Sequence, residues 1–326
     1  MMLMRRVASI DCGTNSIRLL VAELTERADG GVVLHDLHRE MRIVRLGAGV
    51  DSAGRFTTAA LERVRAAVAD YAATAAQFDV TAIRMVATSA TRDAGNRDTF
   101  FAMVRAELGV SAEVISGTEE AQLSFVGAVG EQDPQAGPFL VVDIGGGSTE
   151  LVLGDWDGRT ATVRASQSVD IGSVRLTERL LRNDPPTNAE IQSAQQYTVE
   201  SLTTAFEAVD VSAANTWVGL AGTVTTLSAI AQQLPEYDPS RTHLSRLSAA
   251  EINAVTAELL TSDHEQRAAI PVIHPGRVDV IGGGALVVRT LAEQLAARGA
   301  PDSLVVSEHD ILDGIALSLA GTSDEG

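Results

Sequence analysis

A chain of 326 residues with a formal net charge of −18 has no basic excess to lay along a phosphodiester backbone, which argues against a nucleic-acid scaffold. Lysine is absent, all 25 basic residues being arginine, and this excludes a Walker A loop, a Schiff base and a pyridoxal phosphate site. The length suffices for two domains, and 45% hydrophobic residues can fill two cores.

The start, Met1–Arg6, runs straight into a strand without the apolar stretch of a signal peptide, and no later segment reaches bilayer-spanning length. The expectation is a cytoplasmic protein with no membrane partner. From Arg6 to Glu23 the pattern reads strand, Asp-x-Gly-x-x-Ser turn, strand, with Asp11, Gly13 and Ser16 at the marked positions and Thr14 and Asn15 between them. Cys12, the single cysteine, cannot form an internal disulfide and reads as small apolar packing. Residues 31–38 and 41–46 read as two further strands of a meander, 57–78 as an Ala-rich amphipathic helix and 82–87 as a strand. The polar turn Thr88–Arg97 that follows either presents donors to an anion at a helix N-terminus or is a capped loop. A helix over 98–108, a strand over 112–116 and a helix over 117–129 complete this half. Ser116-x-x-Glu119 fits a capping box, which gives Glu119 a structural task and leaves the adjacent Glu120 without one. The linker Gly130–Pro138 is the expected boundary between domains 1–130 and 131–326.

The second half opens with a copy of the first turn. Asp143, Gly145 and Ser148 align with Asp11, Gly13 and Ser16. Gly145, Gly146 and Gly147 are expected to bend with φ > 0 and bring backbone N–H donors close to an anionic oxygen. Ser148 and Thr149 add hydroxyls, while Asp143 and Glu150 flank the turn as two carboxylates suited to a hard Mg²⁺ ion. Taken alone, the segment reads as well as an ordinary Gly-rich hairpin. Two matched loops instead suggest a duplicated domain whose halves present facing phosphate loops. A strand over 160–168, a helix over 188–208 and a strand over 216–220 repeat the order. Glycine then turns strand into helix at 221–231 and again at 278–291, before a strand at 304–306 and a terminal helix over 308–319. Neither glycine turn is Gly-x-Gly-x-x-Gly, so no dinucleotide oxidoreductase is inferred. Asp155-Trp156-Asp157-Gly158 reads as a turn, and the six histidines lack zinc-type spacing.

Five segments in order, Asp11-x-Gly-x-Asn-Ser16, Ala87-Thr-x-Ala-x-Arg-x-Ala-x-Asn96, Ser116-Gly-x-Glu-Glu-Ala121, Asp143-Ile-Gly-Gly-Gly-Ser-Thr-Glu150 and Gly219-x-Ala-Gly-Thr223, resemble the exopolyphosphatase/guanosine pentaphosphate phosphatase family over nearly the whole chain. The resemblance implies an α/β protein of the actin-like ATPase superfold, with two ribonuclease H-like domains around a cleft, in the short form that lacks a C-terminal His-Asp-type helical domain. It implies Glu120 as the catalytic base and Asp143 and Glu150 as ligands of Mg²⁺ or another divalent cation such as Mn²⁺. Phosphate contacts would come from Asp11, Gly13, Thr14, Asn15, Ser16, Arg18, Arg92, Gly145, Gly146, Gly147 and Ser148, with Arg277 on the far wall. The substrate it implies is polyphosphate or guanosine pentaphosphate, and it leaves a homodimer open. Other readings are a nucleotide-binding regulator without hydrolysis, against which Glu120 argues, and a small-molecule kinase. Where relatives often carry Arg-Glu-Gly on the last helix this chain has Leu312-Asp313-Gly314, which removes an anion contact and opens the question of substrate preference.

Overall fold

The first Asp-x-Gly-x-x-Ser turn joins β1 (Met4–Cys12) to β2 (Ser16–Glu26) in the computed structural model, which describes residues 4–27 and 30–320. Pairing runs unbroken from Met4↔Thr25 to Cys12↔Ile17, so the tight turn sets the register of the whole hairpin. Beyond it come β3 (Val32–Ile43), α1 (Val50–Ala53), α2 (Thr58–Gln77), β4 (Ala82–Ala87), α3 (Ser89–Asp93), α4 (Arg97–Leu108), β5 (Glu113–Val114) and α5 (Gly117–Val129). The five strands order as β3-β2-β1-β4-β5, with β4 parallel to both β1 and β5.

Alternation along the hairpin sorts its side chains between two cores. Ala8, Ile10, Ile17, Leu19 and Val21 pack with Val64, Tyr71 and Phe100, whereas Val7, Leu20, Ala22 and Leu24 pack with Leu312 and Ala316. α2 earns its place through a Thr57 cap and a buried stripe, Ala60, Val64, Ala67, Val68, Tyr71 and Ala75, at helical spacing. The expected pair of strands at 31–38 and 41–46 is a single strand, β3, which follows β2 past an irregularity at Val21/Ala22. Arg39 and Glu40, between the two expected strands, are accommodated at this sheet edge, where Arg39 bonds Asp36 and Asp313.

The second sheet is built on β6 (Phe139–Ile144), β7 (Thr149–Trp156) and β8 (Ala161–Val169), followed by α6 (Ser173–Leu180), α7 (Asn188–Ala208), β9 (Thr216–Leu220), α8 (Ala221–Ala231), α9 (Pro239–Thr242), β10 (Arg246–Ser248), α10 (Ala249–Thr261), α11 (His264–Ala268), α12 (Ile281–Ala296) and β11 (Ser303–Val306). Its six strands order as β10-β11-β9-β6-β7-β8. Leu140, Val142, Ile144, Leu151 and Leu153 share one core with α7, α8, α10 and α12. The last helix of the described residues is α13 (Ile311–Ser318), which starts at residue 311 and not at 308.

Residues 278–291, expected to turn a strand into a helix, open on the turn 278–280, which leads directly into α12 with no strand of its own. Its glycines lie in the first helical turns, where they allow close packing: a Cβ on Gly283 would stand 2.3 Å from Thr177 Oγ1, and one on Gly284 would stand 2.5 Å from Thr223 Oγ1.

Two compact units result, one from residues up to Gly127 together with those from Ile311 onward, the other from Ala128–Asp310. Within the first, α13 packs on β1 and β2, Ser9 Oγ donates to Leu312 O at 2.8 Å, and a Cβ on Gly314 would lie 2.0 Å from Leu123 O. Among the described residues, no helix is long and apolar enough to cross a membrane.

Candidate functional site

In open α/β sheets ligands gather beyond the carboxyl ends of the parallel strands, and the predicted residues lie there in each unit. In the first unit Asp11 is near the end of β1, Thr88–Arg92 follow β4, and Ser116–Glu120 follow β5. In the second, Asp143 is near the end of β6, and the Ala221-Gly222 turn follows β9.

The two matched turns have the same construction. Gly13 N donates to Ser16 O at 2.9 Å, and Gly145 N donates to Ser148 O at 3.0 Å. None of Gly145, Gly146 and Gly147 has the positive φ expected of them, nor does Gly13. The tight approach to the second turn is made by a different glycine. A Cβ on Gly172, behind the second turn, would lie 2.6 Å from both C and O of Gly146. The carbonyls of the second turn point toward the start of α6: Gly145 O accepts from Ser173 N at 3.0 Å, Gly146 O from Val174 N at 2.9 Å and Arg175 N at 3.1 Å, and Gly147 O from Arg175 Nε at 2.7 Å. In the first turn, Thr14 O accepts from Gly47 N at 2.8 Å, and Asn15 O accepts from Val44 N and Arg45 N at 3.0 and 2.8 Å. Since C=O and the following N–H point oppositely across a trans peptide, both turns direct successive N–H groups away from their backing segments.

The turns differ in what flanks them. Asp11 lies opposite Arg18 in the β1–β2 register, and Arg18 Nη2 sits 2.6 Å from Asp11 Oδ2. At the matching positions Asp143 lies opposite Glu150, two carboxylates on one face of the sheet and both buried. Ser168 Oγ donates to Glu150 Oε1 at 2.7 Å. Two buried oxygen donors of like charge fit a hard divalent cation, which the Asp11–Arg18 pair does not. Thr14 and Ser148 are buried in their turns. Burial and the neighbouring Asp11 push the Cys12 thiol far above its ordinary range, so it remains an unreactive thiol.

Glu120, on the first turn of α5, is 8% exposed, and Arg92 Nη1 donates to its Oε2 at 2.7 Å and to Ile115 O at 3.1 Å. The structure thus brings together two residues given separate tasks by the sequence reading, and Arg92 orients the carboxylate. Glu119 differs from expectation. Ser116 Oγ accepts from Glu119 N at 3.1 Å, half of a capping box, but the Glu119 carboxylate accepts from Arg84 Nη2 at 2.8 Å on β4. Arg277 belongs to the second unit, its guanidinium pressed so closely on Gly222 that a Cβ there would lie 2.1 Å from the guanidinium carbon.

Among the described residues, Glu131, His243 and His309 form a trio within metal-ligating reach of one another. His243 Nδ1 accepts from Glu308 N at 3.2 Å, which in the neutral ring places the proton on Nε2, facing Glu131 Oε2 at 2.7 Å. That arrangement is a hydrogen bond and leaves no lone pair on Nε2 for a metal. Sequence reasoning missed Arg175 and Ser168, because each acts on a turn about twenty or more residues earlier in the chain and belongs to no short motif.

A family model described as the Ppx/GppA phosphatase family matches residues 21–319. The chain is 55% identical over 325 residues to Exopolyphosphatase 2 of Mycobacterium tuberculosis, covering 98% of this chain and all of that one. Among solved structures, an exopolyphosphatase-like protein superposes with a TM-score of 0.91 at 45% identity, covering 97% of each chain. A Ppx/GppA family member from Aquifex aeolicus gives 0.77 at 30% identity, covering 98% of this chain and 100% of that one. The two mixed sheets are those of the actin-like ATPase fold.

Proposed function

The chain belongs to the Ppx/GppA phosphatase family, and from that premise we propose that it is an exopolyphosphatase, releasing orthophosphate from the end of inorganic polyphosphate by direct attack of water. The observation that carries the reading is Glu120, a buried carboxylate at the head of α5 fixed by Arg92.

Glu120 orients a water molecule and takes its proton as the water oxygen bonds to the terminal phosphorus. The bridging P–O bond breaks in line with that attack, and the electron pair leaves with the shortened polyphosphate. No phosphoenzyme forms. The N–H groups of the Gly13–Ser16 and Gly145–Ser148 turns, with Thr14, Asn15, the Ser16 and Ser148 hydroxyls and Arg18, bind phosphoryl oxygens. Such fixed donors replace water around charge at no cost of reorganisation. Arg92 serves Glu120 as well as phosphate. Asp143 and Glu150 would hold Mg²⁺ or Mn²⁺, which when bound supplies positive charge to a polyanion in a protein of net charge −18.

The test is phosphate release by the purified protein from short polyphosphate, long polyphosphate, guanosine pentaphosphate and ATP. Polyphosphate should give the highest kcat/KM. A higher value for guanosine pentaphosphate would replace this reading with that of a guanosine pentaphosphate phosphatase, and release from none of the four would end both.

A further inference from the structure

We propose that Arg175 is a positioning residue, which holds the Gly145–Ser148 turn in the conformation that binds phosphate. The proposal rests on the reading of that turn as a phosphate cradle.

The turn's carbonyls share one set of partners. Those of Gly145, Gly146 and Gly147 all accept from α6, at 3.0, 2.9 and 2.7 Å. The cis peptide bonds of the described chain are Gly137–Pro138 and Asp184–Pro185, so the peptides of the turn are trans. It follows that N–H of Gly146, Gly147 and Ser148 point together away from α6, as an anion-binding concavity requires. Gly145 and Gly146 are fixed by backbone donors, which any residue but proline at 173–175 would supply. Gly147 is fixed by a side chain. Without the Arg175 Nε bond, the peptide between Gly147 and Ser148 has lost its tie to α6, in a segment of three glycines with little intrinsic preference for one conformation.

The burial of Arg175 supports this role. It is 8% exposed, and a guanidinium is not buried without strong hydrogen bonds. The first turn, Gly13–Ser16, offers an internal contrast. Its carbonyls at Thr14 and Asn15 are tied by the backbone N–H groups of Val44, Arg45 and Gly47. The duplicated turns therefore differ in mutability, and the second depends on a side chain.

The experiment compares wild type, Arg175→Met and Arg175→Lys in three readouts: the unfolding temperature, kcat and KM for polyphosphate, and calorimetric binding of inorganic tripolyphosphate with Mg²⁺ present, the last with Glu120→Gln added to each so that the ligand is not turned over. Arg175→Met should weaken tripolyphosphate binding and raise KM by roughly tenfold or more, the loss of one charge-assisted hydrogen bond, while kcat stays within about threefold. Arg175→Lys keeps the charge and one donor and should recover part of the binding. A folded Arg175→Met with wild-type binding and KM overturns the proposal, as does a fall in kcat with KM unchanged. Should Arg175→Met not fold, Arg175→Lys decides: weakened binding with a near-normal unfolding temperature supports the role, and unchanged binding overturns it. Tripolyphosphate binding by the Glu120→Gln protein, with no hydrolysis of polyphosphate by wild type, would sink the exopolyphosphatase reading while leaving the Arg175 comparison intact.

Discussion

Asp143 and Glu150 occupy directly opposed positions on β6 and β7, while the duplicate hairpin places Arg18 opposite Asp11. The same backbone framework thus carries a charge-compensated pair in one unit and an acidic pair in the other. Like charges in directly opposed positions repel, and a divalent cation relieves that repulsion. In excess EDTA, hydrolysis is therefore expected to stop, and Mg²⁺ should restore it. Glu150→Gln should raise the Mg²⁺ concentration for half-maximal activity at least about tenfold. The same variant should unfold in EDTA at or slightly above the wild-type temperature, because a repulsion has been removed and Gln still accepts from Ser168. Full activity in EDTA would refute the metal assignment, and a clear loss of metal-free stability would refute the repulsion.

The matched turns were legible in the sequence because each is local: an acidic residue, a glycine and a serine at fixed spacing define both the bend and the register of its hairpin. α2 was equally legible from its stripe of apolar residues at helical spacing. What failed depended on distant partners. β10 is three residues long and is defined by pairing with β11, nearly sixty residues further on. The glycine run at 282–284 resembled a strand-to-helix turn because its real cause, close approach of Thr177 and Thr223, leaves no mark nearby. The head of α10 was a missed local signal, since Ser248-x-x-Glu251 precedes an apolar run and forms a complete capping box.

The departure at Leu312-Asp313-Gly314 has a structural consequence within the first unit. Asp313 is 2% exposed, and Arg39 on β3 holds it with Nη2 at 2.6 Å and Nη1 at 3.3 Å. Arg39 is partly open to solvent and keeps Asp36 as a second partner. Asp313→Ala is therefore expected to destabilise by about 2 kcal/mol, less than the roughly 3–5 kcal/mol for breaking a fully buried pair. Chemical denaturation would measure it. Loss of activity without loss of stability would mean that Asp313 serves substrate binding instead.

Acid stability offers a test in the second unit. Backbone N–H of Thr187 is the leading cause that holds the Glu190 carboxyl down at about 2, with Asn183 and Arg182 contributing further hydrogen bonds. A depressed folded-state value means that the stabilisation is fully present above the ordinary carboxylate value and is lost as pH falls toward 2. Glu190→Gln can still close the capping box with Thr187, so its stability should follow that of wild type at neutral pH and decline less steeply below pH 4.5. Parallel acid limbs in the two proteins would refute this assignment.

The adjacent glutamates of α5 separate chemistry from architecture most directly. Glu120 is buried against Arg92, whereas Glu119 has a side chain 43% exposed and pairs with Arg84. Glu120→Gln preserves size and can still accept from Arg92, but it has no basic carboxylate to take a proton from water. Turnover should fall by about 10² to 10⁴, the usual cost of losing a general base, while tripolyphosphate still binds. Glu119→Gln removes a surface ion pair worth no more than about 1 kcal/mol and should keep near-normal turnover. Ser116 Oγ retains its bond to the backbone N–H at position 119, so the start of α5 should persist in both variants. The reverse pattern, with Glu119→Gln inactive and Glu120→Gln active in folded proteins, would move the base to the other carboxylate. Equal, modest losses would mean that neither glutamate takes the proton.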